Sequence, residues 1–218
     1  MSEIENGHGL QRRREAITGL GDALRLLIEQ ATATEAPTAE LLRAAELIRQ
    51  AAAPLGERVR SRFETAAADD LLGGVRLYNP VTGGGSAFAP PLEIRRDGDT
   101  AVGVCTLGRA FEGPPSFAHG GVSAMLLDQM LGYACGVAGH PGMTVRLDTG
   151  YRRPVPLYTP LRLTSRVAGI DGRRITATGT IATADEPGDV LVEATGVFVA
   201  LRAEQARRLF GPVMGEAR

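Results

Sequence analysis

Two short stretches of this chain could do chemistry together. Asp128 stands inside an apolar run, and its helical neighbours Ala124, Met125, Leu131 and Gly132 supply neither a cation nor a side-chain donor. Burying an unpaired carboxylate is costly. Asp128 therefore either reaches solvent or a partner on another strand, or it is kept acidic for chemical work. In a run with so many apolar choices, the second reading is favoured. His119-Gly120-Gly121 opens the same run. At a helix start, free backbone N–H groups and the positive end of the helix dipole converge, and glycine lets a ligand approach the backbone closely. A developing oxyanion or a thioester carbonyl would be well received there. Each feature alone is weak, since a Gly-Gly pair before a helix is often only a tight turn and a lone histidine is more often structural than catalytic.

The elements that must position these groups are legible in the pattern. Val122, Ala124, Met125, Leu126, Leu127, Met130, Leu131, Tyr133, Ala134 and Val137 cover every side of a helical wheel, which predicts an enclosed helix from His119 to about Ala138. Such a helix is about 30 Å long, enough to run across a small sheet. Gly121, Gly132, Gly136 and Gly139 weaken it in isolation and suit close approach of strands or of a second subunit. Six strand-like runs surround it: Leu92–Arg96, Ala101–Leu107, Met143–Tyr151, Leu161–Ala168, Ile175–Thr183 and Val190–Leu201. Asp97-Gly98-Asp99 and Asp171-Gly172 read as hairpin turns, because both positions of an Asp-Gly pair tolerate positive φ. The expectation is an α+β fold, an antiparallel sheet wrapped around one helix.

Residues 1–65 read as a helical extension. Ile17, Leu20, Leu24, Leu27 and Ile28 recur at helical spacing, as do Leu41, Ala45, Ile48 and Ala52. Thr38 is the expected N-cap of the second helix and Pro54 lies near its stop. Both stripes are narrow, so both helices must pack on something else. Arg12 to Arg14 read as a solvated helix start in preference to a phosphate-binding patch. Residues 66–205 form the main domain and 206–218 a C-terminal tail.

Composition removes several function classes. Lysine and arginine together number 24, and all are arginine. Without lysine there is no Schiff base, hence no pyridoxal-phosphate chemistry, and no Walker-type phosphate loop. Balanced against 25 acids, the net charge of -1 exerts no pull on nucleic acid or anionic membrane. Cys105 and Cys135 are too few for a disulfide framework and too far apart for a CxxC pair. The first residues lack the apolar core of a secretory signal, and Val122 to Val137 is too short and polar to span a bilayer. A cytoplasmic protein with no membrane insertion is expected. No zinc-ligand spacing is present, so neither metal nor cofactor is expected. No GxSxG elbow occurs, and the only histidines are His8, His119 and His140, so a serine triad is poorly supported.

Taken together, His119-Gly120-Gly121, six intervening residues, Asp128, then Thr144 and Tyr151-Arg152-Arg153-Pro154, with Glu112-Gly113-Pro114-Pro115 upstream, resemble the hotdog-fold acyl-CoA thioesterases. Within them the motif set looks like that of the PaaI-type enzymes and the animal acyl-CoA thioesterases that share their motif. The resemblance covers roughly Pro90 to Leu201, about half the chain. It implies the hotdog fold, six antiparallel strands around one central helix. It also implies hydrolysis of an acyl-CoA to a free acid and coenzyme A. In that scheme Asp128 is general base or nucleophile, the Gly120 amide polarises the carbonyl, His119 shapes the loop, and Thr144 positions the water or the carboxylate. Gly121, Glu112 and Gly113 would line the substrate site. Arg152 and Arg153 would lie near the coenzyme A phosphates, which arginine suits, or else form a solvated strand end. The helix start of one subunit faces the carboxylate of another, which implies a homodimer or homotetramer. Some members carry asparagine six residues before the histidine, where this chain has Gly113. The helical extension has no counterpart in the minimal enzymes and would cap the dimer or cover the acyl pocket. The rival reading is a non-enzymatic hotdog domain that binds acyl-CoA or a partner protein. Loss of Asp128 or of the glycine pair would have favoured it, and both are present.

Overall fold

Between Arg174 and Thr183, Ile175, Ala177 and Ile181 are buried while Thr176, Thr178 and Thr180 are only half so. That period of two turns one face of a strand onto a core. The computed structural model describes residues 3–71, 73–202 and 204–205, so the expected tail at 206–218 lies outside the described residues. All six strand-like runs are strands: β1 (Glu93–Asp97), β2 (Thr100–Thr106), β3 (Met143–Tyr151), β4 (Pro160–Asp171), β5 (Arg174–Thr183) and β6 (Val192–Val199). They form one antiparallel sheet in the order β1-β2-β4-β5-β6-β3. Among the described residues three α-helices accompany it: α1 (Glu3–Ala33), α2 (Thr38–Ala52) and α3 (Gly120–Val137). This is the hotdog architecture, with α3 lying across β2 to β6.

The core is built where α3 meets the sheet. Leu126, Leu127, Met130 and Leu131 pack against Leu161, Leu163, Ile175, Ile181, Val192 and Phe198. Glycines on the strands make room for them. A Cβ at Gly103 would lie 2.7 Å from Met130 Sδ, and one at Gly196 would lie 2.9 Å from Leu131 Cδ1. Farther along α3 the glycines do not serve this purpose: a Cβ at Gly132 would be in ordinary contact with Phe198 at 3.6 Å, and one at Gly136 would meet nothing within 4 Å. The expectation of an enclosed helix also needs correcting. Ser123, Leu126, Leu127, Met130, Leu131, Ala134 and Cys135 are buried, but Gly121 and Gly136 are exposed, and Met125, Asp128, Gln129 and Gly132 are half-buried. One sheet covers one side of a helix, and the other side of α3 is open in a single chain. Beside it, β3 is the last strand of the sheet, with Met143, Val145 and Tyr151 exposed.

Both hairpins differ from expectation by one residue. Asp97 pairs with Thr100 and Asp171 with Arg174, so the central pairs are Gly98-Asp99 and Gly172-Arg173. Only the glycines have positive φ, +60° and +56°. Glycine first and a negative φ second is the type II′ arrangement, whose twist suits the flanking strands. Gly172→Ala is therefore expected to destabilise the protein by about 1–2 kcal/mol, read by urea unfolding. An unchanged midpoint would mean that the hairpin has another accessible turn.

Of the two N-terminal helices, only α1 docks. Gly21 is buried, the Arg14 guanidinium donates to the Ala68 carbonyl at 2.9 Å, and Arg25 donates to the carbonyls of Gly84 and Ser86 at 2.9 and 2.6 Å. Arg14 is thus a docking residue and not a solvated one. In α2 no residue is buried, and Leu41, Leu42, Leu47 and Ile48 are exposed. Its N-cap is Pro37 and not Thr38: Pro37 is extended at ψ 149° while its carbonyl already accepts the Glu40 and Leu41 N–H groups at 2.9 and 3.2 Å. Among the described residues no helix is long and apolar enough to cross a membrane.

Candidate active site

The start of α3 is organised by its cap. His119, at φ -63° and ψ 135°, accepts the Gly121 N–H on Nδ1 at 3.0 Å, so any ring proton sits on Nε2. Its own N–H donates to the Phe111 carbonyl at 2.8 Å, and its carbonyl receives the Val122 N–H. The Gly120 N–H has no acceptor among the described residues. Tyr151, at the end of β3, donates its hydroxyl to the Gly120 carbonyl at 2.9 Å and steadies the next peptide, Gly120–Gly121. Of the two glycine amides, the cap engages that of Gly121 and leaves that of Gly120 available.

The loop before the cap is closed on itself. The Gly113 N–H donates to the Phe117 carbonyl at 2.9 Å, and the Glu112 carboxylate accepts the Ser116 N–H at 2.8 Å. Ser116 takes the left-handed φ of +70° to complete the turn. A Cβ on Gly113 would stand 2.7 Å from His119 Cα, so an asparagine there would collide with the backbone of the cap. Glu112 and Gly113 fold the loop that carries His119.

Asp128 is half-buried on the open side of α3, and its Oδ1 accepts the Thr144 hydroxyl at 2.8 Å. The pairing of β3 with β6 shifts between Thr144 and Arg146, a bulge of the kind that re-aims a side chain. Thr144 and Asp128 therefore meet, as the motif implies. Gly120 does not join them. It lies eight residues up the same helix, about 12 Å along the axis, too far for one carbonyl group to touch both.

Arg152 and Arg153 are each engaged already. Arg152 pairs with Glu193 at 2.6 Å, and Arg153 pairs with Asp189. Tyr151, part of the sequence motif but given no role there, bonds the Gly120 carbonyl, and Gln129, not singled out from sequence, accepts a hydrogen bond from Asn79 at 3.2 Å. Gln129 and Tyr133 line a cavity of about 530 Å³ together with Leu92 and Ile94. The visible signal for Gln129 was a second polar residue beside Asp128 in an apolar run. A separate groove of about 720 Å³ lies on the outer face of the sheet, among Thr164, Thr178 and Thr195, away from Asp128. The cysteines are poor nucleophiles: burial pushes the Cys105 thiol up to about 12 and the Cys135 thiol up to about 11. Among the described residues no three His, Cys, Asp or Glu side chains gather where a metal could sit.

Comparison with known proteins bears on this arrangement. Residues 116–188 match the thioesterase superfamily. The chain is 39% identical to a crystallised thioesterase superfamily protein over 84% of this chain and 94% of that one, with a TM-score of 0.74. Residues 66–218 are 153 of the 218, about 70%, so a match over 84% includes part of the helical extension. The chain is also 33% identical to acyl-coenzyme A thioesterase THEM4 of Mus musculus over 45% of this chain and 42% of that protein. It is 31% identical to THEM4 of Bos taurus over 52% of this chain and 47% of that protein. The matches span less than half the length of both THEM4 proteins.

Proposed function

This chain belongs to the thioesterase superfamily, and from that premise we propose that it hydrolyses an acyl-CoA thioester to a free acid and coenzyme A. The observation that carries the reading is the Asp128–Thr144 pair on an open helix face, with an unengaged Gly120 amide at the start of the same helix. The names of the two THEM4 relatives support the substrate class.

In the proposed reaction Asp128, oriented by Thr144, either takes a proton from the attacking water or itself attacks the thioester carbon. The Gly120 N–H receives the charge that builds on the carbonyl oxygen. The carbon–sulfur bond then breaks, and coenzyme A leaves as its thiol. In the general-base route the proton that Asp128 took from water goes to the departing sulfur. In the nucleophilic route water next hydrolyses the acyl–Asp128 anhydride, freeing the acid and supplying the proton that the thiolate takes up. His119, Gly121, Glu112 and Gly113 keep the amide aimed. Because about 12 Å separate Asp128 from Gly120 within a chain, the amide comes from a second copy, so the active form is a homodimer or a dimer of dimers. The exposed edge of β3 beside Asp128 is the surface for that pairing. Residues 66–205 are the catalytic domain and 1–65 an extension of it. Two free thiols, Cys135 buried and Cys105 half-buried, fit a reducing cytoplasm.

Arg152 and Arg153, now paired with Glu193 and Asp189, are the proposed phosphate contacts, where each would exchange a carboxylate for a coenzyme A phosphate. Changing both to alanine is expected to raise KM for acyl-CoA by about tenfold while hydrolysis of small, phosphate-free thioesters stays within about twofold. Equal losses on both substrates would make the pair structural. The function itself is tested by thiol release from a panel of straight-chain and aromatic acyl-CoAs. Binding without hydrolysis across the panel would overturn it in favour of a non-enzymatic hotdog domain.

A further inference from the structure

Glu29, near the end of α1, reaches across 80 residues of sequence to the start of the active-site loop. Its carboxylate accepts the Arg109 N–H at 3.2 Å and the Ala110 N–H at 3.4 Å, the opening amides of a 3-10 turn at Arg109–Phe111. It also accepts the Tyr158 hydroxyl at 2.5 Å. Tyr158 holds a left-handed backbone, φ +56°, and its N–H donates to the Leu107 carbonyl at 2.8 Å. A tyrosine in that conformation carries a strain cost, and here the conformation places its hydroxyl on Glu29.

Gly108 supplies a second, independent observation. A Cβ there would lie 2.4 Å from Glu29 Oε2, and its three nearest atoms all belong to that carboxylate. The backbone of Gly108 is extended, φ -92° and ψ -171°, which any residue adopts. Glycine is required at 108 by the carboxylate and not by the chain's conformation. Burial acts to raise the Glu29 carboxyl, but hydrogen bonds from Tyr158, Arg109 and Ala110, with the Arg109 charge, together hold it below its ordinary value. The ionised form is the one these donors fit.

The far end of the turn leads to the reacting group. The Phe111 carbonyl accepts the His119 N–H at 2.8 Å, and the next amide in the chain is that of Gly120. We propose that Glu29 is a positioning residue for the active-site loop: its carboxylate fixes the Arg109–Phe111 turn, and the Phe111 carbonyl in turn sets the His119–Gly120 peptide. The helical extension is thereby part of the catalytic apparatus. The kinetic side of this inference rests on the thioesterase reading, whereas its structural side does not.

Glu29→Gln leaves one accepting oxygen and sets an amide N–H₂ against the backbone donors. It is expected to lower kcat for acyl-CoA hydrolysis by about 5–20-fold with KM within about twofold, since small misplacements of a catalytic group are costly. Gly108→Ala, which displaces the carboxylate while keeping its charge, should act in the same direction. The double variant should be no slower than Glu29→Gln alone, because both substitutions break one linkage. Hydrogen exchange of the full-length protein should show faster exchange at residues 109–111 and 119–121 in each variant, with β4 and β5 unchanged. The proposal is overturned if kcat stays within about twofold in both single variants, if their losses multiply in the double variant, or if exchange at 119–121 is unaltered or rises equally throughout the sheet. If the parent protein hydrolyses no acyl-CoA, the thioesterase reading fails, and exchange at 109–111 and 119–121 still decides the role of Glu29.

Discussion

Asp128→Asn is expected to lower kcat by about 10²–10⁴-fold while KM changes by no more than about twofold. Hydrolysis needs a water or a carboxylate aimed at the thioester carbon, and the Thr144 hydroxyl 2.8 Å away holds Asp128 in one orientation for that task. Asparagine keeps the volume, and its Oδ1 can still accept from Thr144, but it can neither take a proton from water nor attack the carbonyl. The fold should persist, because a neutral amide is easier to bury than a carboxylate. Initial rates on the best acyl-CoA substrate, beside circular dichroism and melting curves, check both halves. A folded Asn variant that keeps most of the parent rate would remove Asp128 from the mechanism.

The second large effect concerns the amide. Gly120→Pro deletes one N–H and little else. Proline is favoured at the first position of a helix, and His119 before it already holds the extended conformation that a residue preceding proline prefers. A Cβ at 120 would lie 3.3 Å from the ring of Tyr151, an exposed side chain that needs to yield only a few tenths of an ångström. Loss of one oxyanion donor is expected to lower kcat by about 10²–10³-fold. The test of a shared site is to mix the two inactive proteins after reversible dissociation. A heterodimer of the Asp128→Asn and Gly120→Pro chains has one site with both groups intact and one with neither. Random reassortment should then restore about a quarter of the parent activity. No recovery, with heterodimers demonstrated by mass spectrometry, would place the whole site within one chain and leave the separation along α3 without an explanation.

Much of this molecule was legible along the chain. The helix expected over His119 to Ala138 is α3, Gly120–Val137, with those two residues as its caps, and Met143–Tyr151 is β3 at the same bounds. Alternation and helical spacing report interactions between residues two to four apart, which a single sequence displays directly. Asp128 and the His119-Gly120-Gly121 start were visible for a similar reason, as unusual residues on an element whose period was clear, whereas Thr144 was singled out only by the resemblance to the hotdog thioesterases. The tertiary structure decided what lies opposite each element. A helical wheel shows that α3 is apolar on every side, not that one sheet covers only half of it. The type II′ turns place Gly98 and Gly172 first because strand register, set across the sheet, decides which residues are central. Arg152 and Arg153 meet Glu193 and Asp189, Gly113 meets His119, and Glu29 meets the amides of Arg109 and Ala110. Chain folding, and not local spacing, brings the two arginines and Glu29 to partners 36 to 81 residues away, because an ion pair or a capping carboxylate requires only that its atoms come within about 3–4 Å.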